Sequence, residues 1–190
     1  MIGSYKILAI IGEAGSGKDT LMQEVLKVNH NLHEIVSFTT RPPREGEKDG
    51  INYHFISGEE FAEKLLAGEM LEAACFNDWF YGTGFGSLRS DCVNIGVFNP
   101  EGIDSLMAHK NIELVVYYVT AKDKIRLLRQ LNREENPNVD EIIRRYKTDK
   151  EDFADLDFHY NEIVNEDRKD MDFNVKVVSA AAQRLENRIG

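Results

Sequence analysis

Apolar residues fall along this chain in two alternating rhythms. Short, near-continuous apolar runs occur at Lys6–Ile11, Val93–Phe98 and Leu114–Val119. Runs of that kind suit strands buried on both faces of a parallel sheet. Weaker strand patterns lie at Glu34–Phe38, Tyr53–Ile56, Met70–Phe76 and Glu162–Val164. Between them, apolar positions recur at helical spacing and predict helices over Thr20–Val28, Glu59–Ala67, Glu101–His109, Lys122–Arg133, Asp140–Phe153 and Asp170–Arg188. In the last, Phe173, Val177, Val178, Ala181, Leu185 and Ile189 define a predicted packing face. Strands alternating with helices predict an α/β domain with right-handed crossovers. The stretch from Arg41 to Gly86 breaks the rhythm, with short strands, glycine-rich turns and one good helix. It reads as a small mixed α/β insertion over the sheet edge.

Composition narrows the class. The 190 residues suffice for one domain with its own core, and 42% hydrophobic with 29% charged residues is a globular balance. The formal net charge of −10 argues against broad binding to nucleic acid or anionic membrane, so neither is expected as a partner. The opening apolar run, Tyr5–Ile11, is too short to span a bilayer or to act as an export signal. Two cysteines, Cys75 and Cys92, make neither a disulfide framework nor a zinc signature. Reduced thiols and a cytoplasmic location are the expectation.

The first candidate site is Gly12-Glu13-Ala14-Gly15-Ser16-Gly17-Lys18-Asp19-Thr20, between the first strand and the first helix. It fits G-x-x-x-x-G-K in the strand–turn–helix context that motif needs. Successive backbone N–H groups there make an anion nest, and the helix N-terminus adds its dipole. Lys18 sets a positive charge against the β- and γ-phosphates of a nucleotide. Asp19 stands where a serine or threonine usually offers magnesium a hydroxyl, and Thr20 follows it.

The second cluster runs from Ser37 to Tyr53 at the end of the second strand, where open α/β sheets bind ligands. Arg41 and Arg44 sit three apart on a proline-stiffened turn, and two guanidinium forks aimed at one spot make a phosphate clamp. Tyr53 adds a phenolic donor. The competing account is a surface turn whose arginines pair with Glu45, Glu47 and Asp49.

Read as S-x-T-T-R-x-x-R-x-G-E-x-x-G-x-x-Y-x-F, this stretch resembles the signature of guanylate kinases at every position. Further matches follow in order: Glu69-Met70-Leu71-Glu72 to the family's E-x-x-E, Tyr81-Gly82-Thr83 to its Y-G-T, and Ile163-Val164-Asn165-Glu166 to its I-V-N-D. The resemblance implies a P-loop kinase: a central parallel sheet flanked by helices, a nucleoside-monophosphate-binding insertion and a helical lid. As one guanylate-kinase-like domain over 1–190, it divides into a core (1–36, 88–125, 154–190), a GMP-binding region (37–87) and a lid (126–153).

Further implications concern the reaction. Such an enzyme moves the γ-phosphoryl of ATP, with Mg2+, onto GMP. Gly12, Ala14, Gly15, Ser16, Gly17, Lys18, Asp19, Thr20 and Asn165 would hold ATP. Arg41, Arg44, Tyr53 and Tyr81 would hold the GMP phosphate, and Ser37, Glu72 and Thr83 the base. Guanine presents N1–H and an exocyclic amino group side by side, and one carboxylate accepts both. Adenine lacks that pair and would leave Glu72 charged and unmatched. Arg126, Arg129 and Arg133 share one helical face, and Arg144 and Arg145 follow on the next helix. Arg133 and Arg145 are the favoured lid arginines, with Arg129 and Arg144 as rivals in register.

Two departures stand out. The family's D-x-D after the strand at Val93–Phe98 is replaced by Val97-Phe98-Asn99, and Trp79 stands where an asparagine precedes the Y-G turn. Asp19 is the candidate to supply the missing magnesium carboxylate, with Glu101 second. Other readings are a kinase with shifted (deoxy)nucleotide specificity and a non-catalytic protein-binding module of the same family; Lys18 and its glycines speak against the latter. A P-loop GTPase switch would need an N-K-x-D motif, which is absent. Monomer and homodimer both fit.

Overall fold

Tyr5–Ile11 (β1) runs through the middle of the protein with six of its seven residues buried. Its side chains alternate between two cores, as the period of a strand requires. Leu8 and Ile10 pack with Leu21, Val25, Val178, Ala182 and Leu185. Ile7, Ala9 and Ile11 pack on the other face with Leu71, Ile103 and Leu106. Each Val, Leu or Ile side chain so withdrawn from water contributes about 1.5–3 kcal/mol.

The computed structural model describes residues 4–188, apart from 44, 45, 77 and 134. After β1 come α1 (Lys18–Val28), β2 (His33–Glu34), β3 (Phe38–Thr39), β4 (His54–Phe55), α2 (Gly58–Leu66), β5 (Met70–Phe76) and β6 (Trp79–Gly84). A 3-10 turn at Phe85–Ser87 leads to β7 (Val93–Val97), α3 (Pro100–Met107), β8 (Ile112–Thr120), α4 (Asp123–Leu131), α5 (Val139–Asp152), β9 (Asn161–Val164) and α6 (Arg168–Glu186). The main sheet has the order β2-β7-β1-β8-β9 with every pair parallel. A second, mixed sheet has the order β4-β3-β6-β5. This is the expected α/β architecture, a central parallel sheet flanked by helices, with the mixed region where the hydrophobic rhythm breaks.

Local chemistry sets the helix boundaries. Ser57 and Glu60 form a capping box at α2, and Asp167 and Asp170 form one at α6. Asn99 caps α3 by accepting the Gly102 N–H at 2.8 Å, with Pro100 following at the first helical position.

Three expectations need correction. The strand predicted over Glu34–Phe38 is two strands: His33–Glu34 pairs with β7, and Phe38–Thr39 belongs to the second sheet. The chain crosses between sheets at residues 35–37: buried Ile35 makes the last bond to β7, donating its N–H to the Ile95 carbonyl at 2.8 Å, and supplies an apolar signal that runs on past the end of that strand. The strand Trp79–Gly84 was not foreseen, because its Y-G-T-G sequence reads as a turn; it pairs with β5, with Glu72 opposite Thr83. On α6, Phe173 is 64% exposed while Asn174 is buried, its Nδ2 donating to the Val164 carbonyl at 2.7 Å. The packing face therefore runs through Met171, Asn174, Val178, Ala181 and Leu185. Ile189 lies outside the described residues.

Candidate active site

The phosphate loop leaves β1 at the C-terminal edge of the main sheet and enters α1 through Gly17. Gly15 and Gly17 have φ of +81° and +90°, and a Cβ on either would strike its neighbours, the Arg126 backbone and the Asn165 side chain respectively. Glycine is required at both for conformation and for space. Lys18 Nζ lies 3.5 Å from the Asp19 carboxylate, and Asp19 is 75% exposed.

The loop is held from below and from the side. Asn165, 1% exposed, donates Nδ2 to the Ser16 carbonyl at 2.7 Å. The Asn165 Oδ1 and the Ser16 Oγ are buried there without hydrogen-bond partners. One amino group of Arg129 donates to the carbonyls of Gly15, Ser16 and Asn165 at 3.2, 3.1 and 3.0 Å. Arg126 is the largest fully buried side chain. It pairs with Glu13 at 2.7 Å, Asp123 at 3.1 Å and Asp149 at 3.4 Å. Tyr118 donates its hydroxyl to Glu13, and burial with that neighbouring carboxylate holds its phenol well above the usual range.

Thus the arginines on α4 do not form one solvated stripe. Arg126 is an internal ion pair, Arg129 grips the loop backbone, and Arg133 is exposed just past the helix. On α5, Arg144 and Arg145 both bond to Glu141. The Arg144 hydrogen bond, with help from Arg145, pulls the Glu141 carboxyl down to about 2.

Opposite the loop, the second sheet carries the other cluster. Arg41 is 8% exposed and donates one amino group to both carboxylate oxygens of Glu47 at 2.9 Å. Its guanidinium carbon stands 5.6 Å from the Tyr53 ring centre, and Tyr53 meets Tyr81 edge-on with centroids 6.0 Å apart. Burial, then the nearby Asp19 charge, raises the Tyr53 pKa. Arg44 lies outside the described residues.

Below the tyrosines, Ser37 Oγ and Thr83 Oγ1 are 3.0 Å apart, and Glu72 hydrogen-bonds to Thr83. Burial raises the Glu72 pKa above the ordinary carboxylate range and the Glu101 charge adds to it, while the bonds to Thr83 oppose the shift. A Cβ on Gly102 would come within 3.5 Å of a Glu72 carboxylate oxygen, so the start of α3 closes against this acid. Val97 is half-buried and Asn99 is committed to its cap.

The predicted loop, arginine turn and base-reading acid are therefore gathered at one end of the sheet. Sequence reasoning missed Glu13 and Asp149 and misread Arg126. An acid inside a loop of small residues was the one local sign that a buried cation waits elsewhere. A separate concavity of about 500 Å3 is lined by His30, His33, Arg89 and Cys92 at the opposite end of the strands.

Comparison with known proteins agrees with this geometry. The profile of the guanylate kinase family matches residues 4–182. A guanylate kinase of Campylobacter jejuni (strain RM1221) is 32% identical over 168 residues, which is 86% of this chain and 82% of that protein. A guanylate kinase of Clostridioides difficile (strain 630) is 51% identical over 77 residues, 40% of this chain and 38% of its own length. The crystal structure of guanylate kinase from Anaplasma phagocytophilum superposes with a TM-score of 0.67 at 21% identity, covering 97% of this chain and 87% of that one, a likeness of fold. With a profile match along nearly the whole length and a relative above 30% identity across most of both chains, this protein belongs to the guanylate kinase family.

Proposed function

We propose that the chain performs the family's reaction, transfer of the γ-phosphoryl of ATP to GMP giving ADP and GDP, with the following division of labour. The observation that supports the reading is geometric: the end of β1 that opens into the loop lies beside the end of β7, the start of α3 closes on the half-buried Glu72, and the Arg41–Tyr53–Tyr81 cluster stands on the same small sheet as Glu72.

ATP lies on the loop from Gly12 to Thr20. Backbone N–H groups of the second half and Lys18 cradle its β- and γ-phosphates. Asn165 supports that cradle from beneath through the Ser16 carbonyl. The GMP phosphate competes with Glu47 for the Arg41 fork and takes further bonds from Arg44, Tyr53 and Tyr81. Ser37, Glu72 and Thr83 read the guanine edge, and the ionised carboxylate of Glu72 accepts N1–H and the exocyclic amino group. No protein base is needed, because the attacking phosphate oxygen of GMP is already ionised at neutral pH. Rate comes from alignment and from charge neutralisation by Lys18, Arg41 and the lid arginines Arg133 and Arg145.

The phosphate-bound divalent ion of such kinases is assigned to Mg2+, with Asp19 as its protein carboxylate. Magnesium keeps most of its water and takes one or two carboxylates beside nucleotide phosphates. An exposed acid next to Lys18 fits that need, and the capped Asn99 offers no charge. Bound there, the ion offsets charge on the transferring phosphoryl. Nucleotides are the partners in this reading, as monomer or homodimer. Among the described residues no helix is long and apolar enough to cross a membrane. Cytoplasmic placement follows from the nucleotide substrates and from the free thiols of Cys75 and Cys92.

A coupled ADP-release assay over GMP, dGMP, AMP, CMP and UMP tests the assignment. GMP turnover far above AMP is expected. Equal use of AMP and GMP refutes the base-reading role of Glu72, and a clear preference for dGMP would favour the deoxynucleotide reading.

A further inference from the structure

We propose that Asp149 and Arg126 are positioning residues for phosphoryl transfer. They fasten the helix that carries Arg145 to the phosphate loop, so that loop and lid arginine keep one fixed relation. The proposal rests on the lid role given above to Arg145.

The argument starts from an acceptor in an unusual place. Asp149, on α5, accepts the backbone N–H of Ala14 through Oδ2 at 2.6 Å, across 135 residues of sequence. The same oxygen meets Arg126 at 3.4 Å. Arg126 donates Nε to the Ala14 carbonyl at 3.2 Å, and Gln130 donates to that carbonyl at 3.3 Å. Both polar groups of the Ala14 residue are thus held from the lid side. The N–H belongs to the peptide unit before Ala14 and the carbonyl to the unit after it, so both units leading into the Gly15–Lys18 segment that faces the nucleotide phosphates are held against rotation.

The rest of the network joins the two lid helices. Asp123 on α4 accepts the Tyr146 hydroxyl at 2.7 Å and pairs with Lys150 at 3.1 Å. The Arg126 guanidinium stands 5.6 Å from the Tyr146 ring centre. Arg145 and Asp149 are four residues apart on α5, so they share one helix face. The face that docks on the loop through Asp149 is therefore the face that presents Arg145. Stability alone would be served by the Arg126–Glu13 pair. The bond from Asp149 to a loop backbone atom adds orientation, because it ties the helix to the peptide that shapes the phosphate cradle.

A double-mutant cycle between Asp149 and Arg145 separates positioning from bulk stability. In Asp149→Ala, kcat is expected to fall about tenfold and the KM for GMP to stay within twofold of the starting enzyme. In an Arg145→Ala background the same change is expected to cost less than twofold, since the arginine it places is gone. A loss in kcat equal in both backgrounds, or no loss in either, overturns the proposal. If Arg145→Ala by itself leaves kcat unchanged, the lid reading fails first and is identified as the failure. Should Asp149→Ala fail to fold, Asp149→Asn decides the matter. Its amide oxygen still accepts the Ala14 N–H but loses the charge facing Arg126. A threefold fall in kcat that vanishes with Arg145→Ala supports the proposal, and kinetics equal to the parent enzyme overturn it.

Discussion

Glu72→Gln is the sharpest test of how this chain selects a base. The substitution keeps size and the possibility of a bond to Thr83, and removes the charge. With an ionised Glu72, guanine's two adjacent donors meet charged acceptors, and hydrogen bonds to a charged group contribute about 1.5–3 kcal/mol. Losing that much lowers kcat/KM for GMP by about 10- to 150-fold, at 1.4 kcal/mol per factor of ten. Stability should move the other way. Burial raises the folded-state pKa of Glu72 above the ordinary carboxylate value, with the Glu101 charge adding to the shift. The folded protein therefore favours the protonated acid. That contribution is fully present below the unfolded pKa and is lost as pH rises through the folded one. At neutral pH the ionised side chain is a cost, which glutamine removes. Coupled ADP release and thermal unfolding, each at about pH 5 and pH 8, read both arms. Expected are a weakened GMP reaction with a Tm equal to or above the parent at pH 8, and a smaller Tm difference at pH 5. For the parent enzyme, the KM for GMP should climb on acidification, starting above the ordinary carboxylate range. Unchanged GMP kinetics in Glu72→Gln, or a Tm depressed at pH 8, would refute the reasoning.

Three further outcomes follow from the same structure. Asp19→Ser and Asp19→Asn should each raise the magnesium concentration needed for half-maximal turnover several-fold, and an unchanged midpoint in both removes Asp19 from the metal site. Arg126→Met strands Glu13 as a buried acid and Asp149 as a half-buried one, a cost of about 3–5 kcal/mol. At about 2–4 °C per kcal/mol for a chain of this size, Tm should fall by about 6–20 °C, and a drop under about 2 °C contradicts the buried-pair reading. Glu141 is held down to about 2 by Arg144 and Arg145, so its stabilising effect is present above the unfolded value of 4.5 and fades as pH falls toward 2. Glu141→Gln should therefore speed amide exchange along α5 at pH 7 relative to the parent and make little difference near pH 2, whereas equal exchange at pH 7 would show the pairs to be inert.

Much of this protein is written locally in its sequence. The period of two in β1, the helical period in α1 and α6, and the strand–turn–helix context of the phosphate loop each act over a few residues. Backbone geometry makes those rhythms obligatory, so fold class and loop were legible without coordinates. The arginine turn was legible only through its resemblance to a family signature, in which Arg41, Tyr53, Glu72 and Tyr81 follow in order. Other features depended on what lies across the fold. Residues 34–38 look like one strand until the two sheets separate them. Asn99 marks only a missing acid until it is seen capping α3. Arg126 reads as one of three arginines on a single helical face, yet its main partner, Glu13, is 113 residues away. Asp149 carries no local signal, and its bond to Ala14 exists only because α5 folds back over the loop. Periodicity and motif spacing report forces that act along the chain. The partners of a buried charge are chosen by burial itself, since a guanidinium removed from water must be matched by whatever acids the tertiary structure brings to it.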